Sequence, residues 1–125
     1  MPRILLVVDR CDTFEELAEA LHHDGGAEIQ WAHDSATALN NVAANAPDLV
    51  IVDEYIGETS GLDWIRHLMG VNAFIQTAAV SRLPHEHFHE TSEGLGIMAQ
   101  LPPRPGKTDA RRVLEMMSKF PDFEK

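Results

Sequence analysis

Asp48-Leu49-Val50-Ile51-Val52-Asp53 decides how this chain reads. Four consecutive β-prone apolar residues suit a strand buried on both faces, as in a parallel sheet, and the run closes on a carboxylate. The same design occurs at the start, in Ile4-Leu5-Leu6-Val7-Val8-Asp9. Between the two, Glu28-Ile29-Gln30-Trp31-Ala32 alternates polar and apolar residues, which predicts a strand nearer a sheet edge. Two more strands are predicted over 74–81 and 97–101.

Helical spacing fills the intervals. Phe14, Leu17, Ala18 and Leu21 predict a helix opened by a Thr13–Glu16 capping box and stopped by Asp24-Gly25-Gly26. Asp34 or Ser35 caps a second helix with Ala38, Leu39, Val42 and Ala43 inward and Pro47 after its end. A loop over 54–60 leads into a helix over 61–69 with Leu62, Ile65 and Leu68 inward. The polar stretch 84–93 has room for a short helix. After a rigid turn at 102–106, a last amphipathic helix over 108–120 turns Val113, Leu114, Met117 and Phe120 inward. Five strands alternating with helices predict an α/β fold with a doubly wound, five-stranded parallel sheet.

A chain of 125 residues and 13.9 kDa is the size of one domain, here taken as 1–125. Its formal net charge is −10, and residues 1–63 hold thirteen acidic side chains against two basic ones. That balance argues against direct nucleic-acid binding and against docking on anionic membranes. The single cysteine, Cys11, excludes an intrachain disulfide and suits a reducing cytoplasm. The apolar run at 4–8 is too short for a membrane span or a signal-peptide core. A soluble, cytoplasmic protein is expected.

Ligands of open parallel sheets bind outside the carboxyl ends of the strands. Asp9 and Asp53 would both emerge at that edge. Two converging carboxylates suit a hard divalent cation such as magnesium, which takes one or two carboxylates and keeps several waters. The plainer account makes each a turn or helix-cap residue.

The sequence resembles the receiver domain of bacterial two-component response regulators, of the chemotaxis-regulator type, over its whole length. The likeness is carried by 47–53, by Ile56-Gly57 where that family usually shows Met-Pro, by Gly61-Leu62 with Ile65-Arg66, by 4–9, by Ala32 with Ala38-Leu39, and by 96–101. It implies a flavodoxin-like topology and a phosphate switch. Asp53 stands as phosphoacceptor, served by a sensor histidine kinase or phosphotransfer protein, with output through a downstream protein or a fused output domain. Ser81, 28 residues past Asp53, takes the place of the hydroxyl that binds the phosphoryl group, with Thr77 as the alternative. Magnesium would be held by Asp9, Asp53 and the backbone carbonyl of Tyr55. No enzymatic activity is implied beyond phosphorylation and dephosphorylation of Asp53 itself.

Several residues depart from the family pattern. Arg10 stands where the family has a second acid, its direct metal ligand, so magnesium affinity should fall and an Arg10–Asp53 pair is expected. Pro103 falls where the family lysine is expected, and a shift by one residue lets Arg104 substitute. Arg82 replaces a small residue that leaves the acceptor accessible, and Gln100 replaces an aromatic that often moves on activation. These changes keep a second reading open: a phosphorylation-independent pseudo-receiver in which Arg10 locks the pocket and the domain serves as an interaction module.

Other features point elsewhere less firmly. His85 and His89 have the spacing of a helical zinc pair, set against a solvated helix face. His22 and His23 fall near a helix end, Trp31 and Trp64 read as packing residues, and Cys11 reads as a small inert thiol rather than a redox sensor. Arg111, Arg112 and Lys119 lie on the polar side of the last helix, a solvated face that could also serve docking or a homodimer. No nucleophile elbow, Walker loop or dinucleotide fingerprint follows the first strand, which also disfavours a flavodoxin-like cofactor binder.

Overall fold

Residues 4–8 and 49–52 are buried without a break, and they form the centre of a sheet covered on both faces. The computed structural model describes residues 2–119. Along the chain come β1 (Arg3–Val7), a 3-10 turn (Cys11–Phe14), α1 (Glu15–Gly25), β2 (Glu28–Ala32), α2 (Ser35–Ala44) and β3 (Leu49–Val52). A small hairpin of β4 (Tyr55–Ile56) and β5 (Thr59–Ser60) precedes α3 (Gly61–Val71). Then follow β6 (Gln76–Val80), α4 (His85–Thr91), β7 (Ala99–Leu101) and α5 (Lys107–Met117). The main sheet is parallel, with strand order β2-β1-β3-β6-β7. Its order reverses between β1 and β3, the two strands that close on an aspartate.

Alternation along the strands sorts the core into two layers. Ile4, Leu6, Ile51 and Val80 face Phe14, Leu17, Leu21, Val113 and Met117 of the turn, α1 and α5. Leu5, Val7, Val50 and Val52 face Val42, Trp64, Ile65, Leu68 and Phe88 of α2, α3 and α4. Trp64 is fully buried, and its indole N–H donates to the Ser35 carbonyl at 3.2 Å, so its one polar atom is satisfied.

The structure corrects the local reading in four places. Thr13 and Glu16 form no capping box: the Glu16 carboxylate instead accepts the Lys107 N–H at 3.1 Å, tying α1 to the start of α5. Asp34 alone caps α2, accepting from the Thr37 N–H at 2.7 Å and its hydroxyl at 2.9 Å, and Ala43 is exposed. The strand expected over 74–81 starts at Gln76, since the Phe74 N–H is taken by the Asn72 side chain and the Phe74 ring is 94% exposed. The loop over 54–60 contains the small hairpin. Gly26 ends α1 in the left-handed conformation, as its sequence suggests. Phe120 lies outside the described residues.

Trp64→Ala is expected to cost about 3–5 kcal/mol of unfolding free energy in a urea titration. Phe74→Ala should stay within about 0.5 kcal/mol. Similar losses at both sites would contradict this assignment of the core.

Candidate functional site

Backbone hydrogen bonds carry the sheet register past the strand ends. Val8 N–H donates to the Ala32 carbonyl at 3.0 Å, Asp53 N–H to Val7 at 2.9 Å and Ser81 N–H to Leu101 at 3.0 Å. Asp9, Asp53 and Ser81 therefore leave the sheet at one edge. Thr77 does not join them: it pairs with Val50 inside the sheet, three residues before Asp53 and about 10 Å down the strand at a rise of about 3.3 Å per residue.

Asp53 is half-buried, and one carboxylate oxygen accepts the Glu54 N–H at 2.8 Å. Burial pushes its carboxyl above the usual aspartate range, against the pull of the Glu54 N–H. The neighbouring charges of Asp9 and Glu54 add to the rise, and Arg82 opposes it. Among the described residues, no arginine, lysine or histidine lies within 4.0 Å of this carboxylate. The expected Arg10–Asp53 pair is absent. Arg10 opens the 3-10 turn, its carbonyl accepting the Thr13 N–H at 3.1 Å, and that turn brings Asp12 to 3.5 Å from its guanidinium. Arg104 is drawn the same way, 4.0 Å from Asp12, with its backbone in the left-handed region at φ 51°.

Asp9 holds the loop after β3. Both of its oxygens accept the Gly57 N–H, at 3.0 and 2.9 Å, across the tip of the β4–β5 hairpin. Proline, usual at this place in the family the chain resembles, has no N–H to give. Gly57 also sits at φ +62°, a conformation glycine adopts without strain. Tyr55, whose carbonyl was a candidate metal ligand, lies in β4 with its ring exposed. Gly61 opens α3 directly against Asp53: a Cβ there would overlap the Asp53 carbonyl oxygen.

Ser81 is buried, and its hydroxyl oxygen accepts the Leu83 N–H at 3.1 Å. Sequence reasoning missed two contacts beside it. Glu54 accepts the Arg82 N–H at 2.9 Å and lies 3.6 Å from its guanidinium. Gln100 donates from its side-chain amide to the carbonyls of Ser81 at 3.3 Å and Leu83 at 2.8 Å, while Arg112 donates to the Gln100 carbonyl. The first contact has a sequence signal, because residues 54 and 82 each follow a residue already placed at the end of an adjacent strand. A groove of about 290 Å³ runs from Glu54 and Ser81 past Tyr55, Leu62 and Leu83 to Arg66.

The remaining candidates lie apart. His85 and His89 stack along α4 with ring centres 5.8 Å apart. No cluster of three or more histidine, cysteine or acidic residues among the described residues is arranged as a metal site. Cys11 is exposed rather than buried, with its sulfur 3.5 Å from Nε2 of His33.

No family model and no curated protein sequence matches the chain. Solved structures do. A two-component response regulator from Clostridium difficile superposes with TM-score 0.80 at 14% identity, over 95% of this chain and 98% of that one. The fold is that of a response-regulator receiver domain. The chemotaxis response regulator CheY4 of Vibrio cholerae shares the receiver fold with TM-score 0.79 at 17% identity, over 92% of this chain and 97% of that one. NtrX from Brucella abortus matches with TM-score 0.79 at 21% identity, over 94% of this chain but 27% of that chain.

The raised Asp53 carboxyl has a consequence for stability. The folded protein holds that proton more tightly than the unfolded chain, so stability falls as pH rises from the ordinary aspartate range through the raised one, and the deficit persists at neutral pH. Asp53→Asn should therefore melt at a higher temperature than wild type at about pH 7, with the gap closing towards about pH 3. A gap constant with pH in circular-dichroism melts would contradict this origin.

Proposed function

We propose that this protein is a receiver domain of a two-component relay that accepts a phosphoryl group on Asp53. The donor would be a sensor histidine kinase or a phosphotransfer protein. One observation carries the reading: Asp53 stands at the switch-point edge with no cationic side chain among the described residues bound to it, because Arg10 is turned onto Asp12. The pseudo-receiver reading required Arg10 to lock the pocket and loses its main support.

In the proposed step a free oxygen of the Asp53 carboxylate attacks phosphorus in line. The bond from phosphorus to the donor histidine nitrogen breaks, and that nitrogen keeps the electron pair and takes a proton from solvent. Burial leaves the carboxylate poorly hydrated. Ser81 would donate its hydroxyl to a phosphoryl oxygen while its present bond, in which it accepts from Leu83, stays intact. Gly57 fixes Asp9, and Gly61 allows the chain to turn tightly around Asp53.

Magnesium fits this donor set in a reduced form. Asp9, Asp53 and the Tyr55 carbonyl supply oxygen ligands, Asp9 keeps lone pairs beyond its bonds to Gly57, and Arg10 points away. When bound there, the cation would neutralise charge on the carboxylate and the transferring phosphoryl oxygens. The lack of an acid at position 10 predicts weaker binding than a site with three carboxylates.

The added phosphoryl group carries about −1.5 to −2 charge units, enough to reorder the loops that Asp9, Glu54 and Ser81 anchor. Output then passes through changed contacts to a downstream protein or a fused output domain. The NtrX match, confined to 27% of that chain, supports a receiver that works beside other domains. A single free cysteine and a kinase partner suit the cytoplasm. No helix among the described residues is long and apolar enough to cross a membrane.

Incubation with acetyl phosphate and magnesium should add the mass of one phosphoryl group to the intact protein, and Asp53→Asn should gain nothing. No gain with any small phosphodonor or divalent cation would overturn the acceptor reading in favour of the interaction module.

A further inference from the structure

We propose that Arg82, and not Arg104, is the cationic side chain that receives the phosphoryl group at Asp53, and that Glu54 holds it beside the site until then. The inference rests on Asp53 as the acceptor and adds the partner for its charge.

The placement follows from the sheet. β3 and β6 are parallel neighbours with Val52 opposite Ala79, a register that brings Asp53 and Glu54 level with Val80 and Ser81 and leaves Arg82 one residue beyond Glu54. Glu54 grips Arg82 twice, by its main-chain N–H at 2.9 Å and by its guanidinium at 3.6 Å. The main-chain bond fixes the pivot whichever way the side chain points. The guanidinium is 77% exposed and free to swing, while the Glu54 side chain is only 27% exposed.

Charge then selects the direction of the swing. Asp9, Asp53 and Glu54 already crowd three carboxylates into this edge, and phosphorylation replaces the charge of Asp53 with a larger one. The guanidiniums of Arg10 and Arg104 lie beside Asp12, at 3.5 and 4.0 Å, in pairs as exposed as that of Arg82, whereas Arg82 is also anchored by its main chain to Glu54, the residue next to Asp53. The charge of Arg82 already acts on Asp53. The fork of an arginine matches two phosphoryl oxygens, and an exposed, solvent-screened pair with Glu54 is a weak competitor for it. Glu54 thus acts as a positioning residue, and Arg82 as the phosphoryl ligand where the family lysine is missing.

The test follows the rate of phosphoryl incorporation from acetyl phosphate by intact mass, at saturating magnesium. In that reaction an Asp53 oxygen bonds to phosphorus, the bond from phosphorus to the acetate oxygen breaks, and acetate leaves with the electron pair. Arg82→Ala should slow incorporation about three- to tenfold, and Arg82→Lys should recover part of the loss. Glu54→Gln should raise the rate about two- to threefold in wild type and by clearly less in the Arg82→Ala background, where only its direct repulsion is lost. Circular dichroism of each variant confirms that it is folded. Wild-type rates in Arg82→Ala, a loss confined to Arg104→Ala, or an equal Glu54→Gln effect in both backgrounds would each overturn the proposal while leaving the acceptor intact. If wild type itself gains nothing, the acceptor reading fails and this inference falls with it.

Discussion

A parallel sheet buried on both faces can offer charged residues to a ligand only beyond the ends of its strands. Here β1 and β3 are apolar at every inner position, and α1 and α5 on one side and α2, α3 and α4 on the other exclude water from both faces. The first carboxylate after each strand is therefore held at the rim by the same backbone register that builds the core. Asp53 bears the cost directly: it is tethered by its own N–H to Val7 while its carboxylate is half removed from water. The fold and the reactivity of the site share this one cause.

The rim sorts its charges into local pairs. Arg10 and Arg104 converge on Asp12, Arg82 pairs with Glu54, and Asp9 finds a backbone N–H at Gly57. Exposed pairs of this kind typically contribute less than about 1 kcal/mol each, so they direct side chains more than they stabilise the fold. Their effect on the site is to leave Asp53 with no cationic side chain in direct contact among the described residues. An arginine at position 10 looked, from its place next to Asp9, like a plug for the pocket. Its side chain instead follows the 3-10 turn that begins there.

Much of this was legible in the order of residues. Apolar runs that stop at Asp9 and Asp53 marked the central strands, the alternation at 28–32 marked an edge strand, and Gly26 marked the end of α1. What failed depended on distances across the chain. Thr13 and Glu16 fit a local capping pattern, yet Glu16 is claimed by the start of α5, ninety-one positions away. Phe74 looked like the start of a strand because it is aromatic and apolar, but it sits in a turn set by Asn72. Thr77 and Ser81 were both candidate hydroxyls until the strand register put Thr77 deep in the sheet. The partners of Arg10, Arg82 and Arg104 were hidden for the same reason, since a long flexible side chain answers to whichever acid the fold brings near.

The central claim is that Asp53 is a half-buried carboxylate with no cationic side chain within 4.0 Å among the described residues. Titrating its side-chain carboxyl carbon by NMR, in wild type and in Arg10→Ala, tests this most directly. The account requires a midpoint above the usual aspartate value in both proteins, because burial and not a charge partner sets it. A midpoint below that value in wild type, rising when Arg10 is removed, would show that the arginine pairs with Asp53 after all.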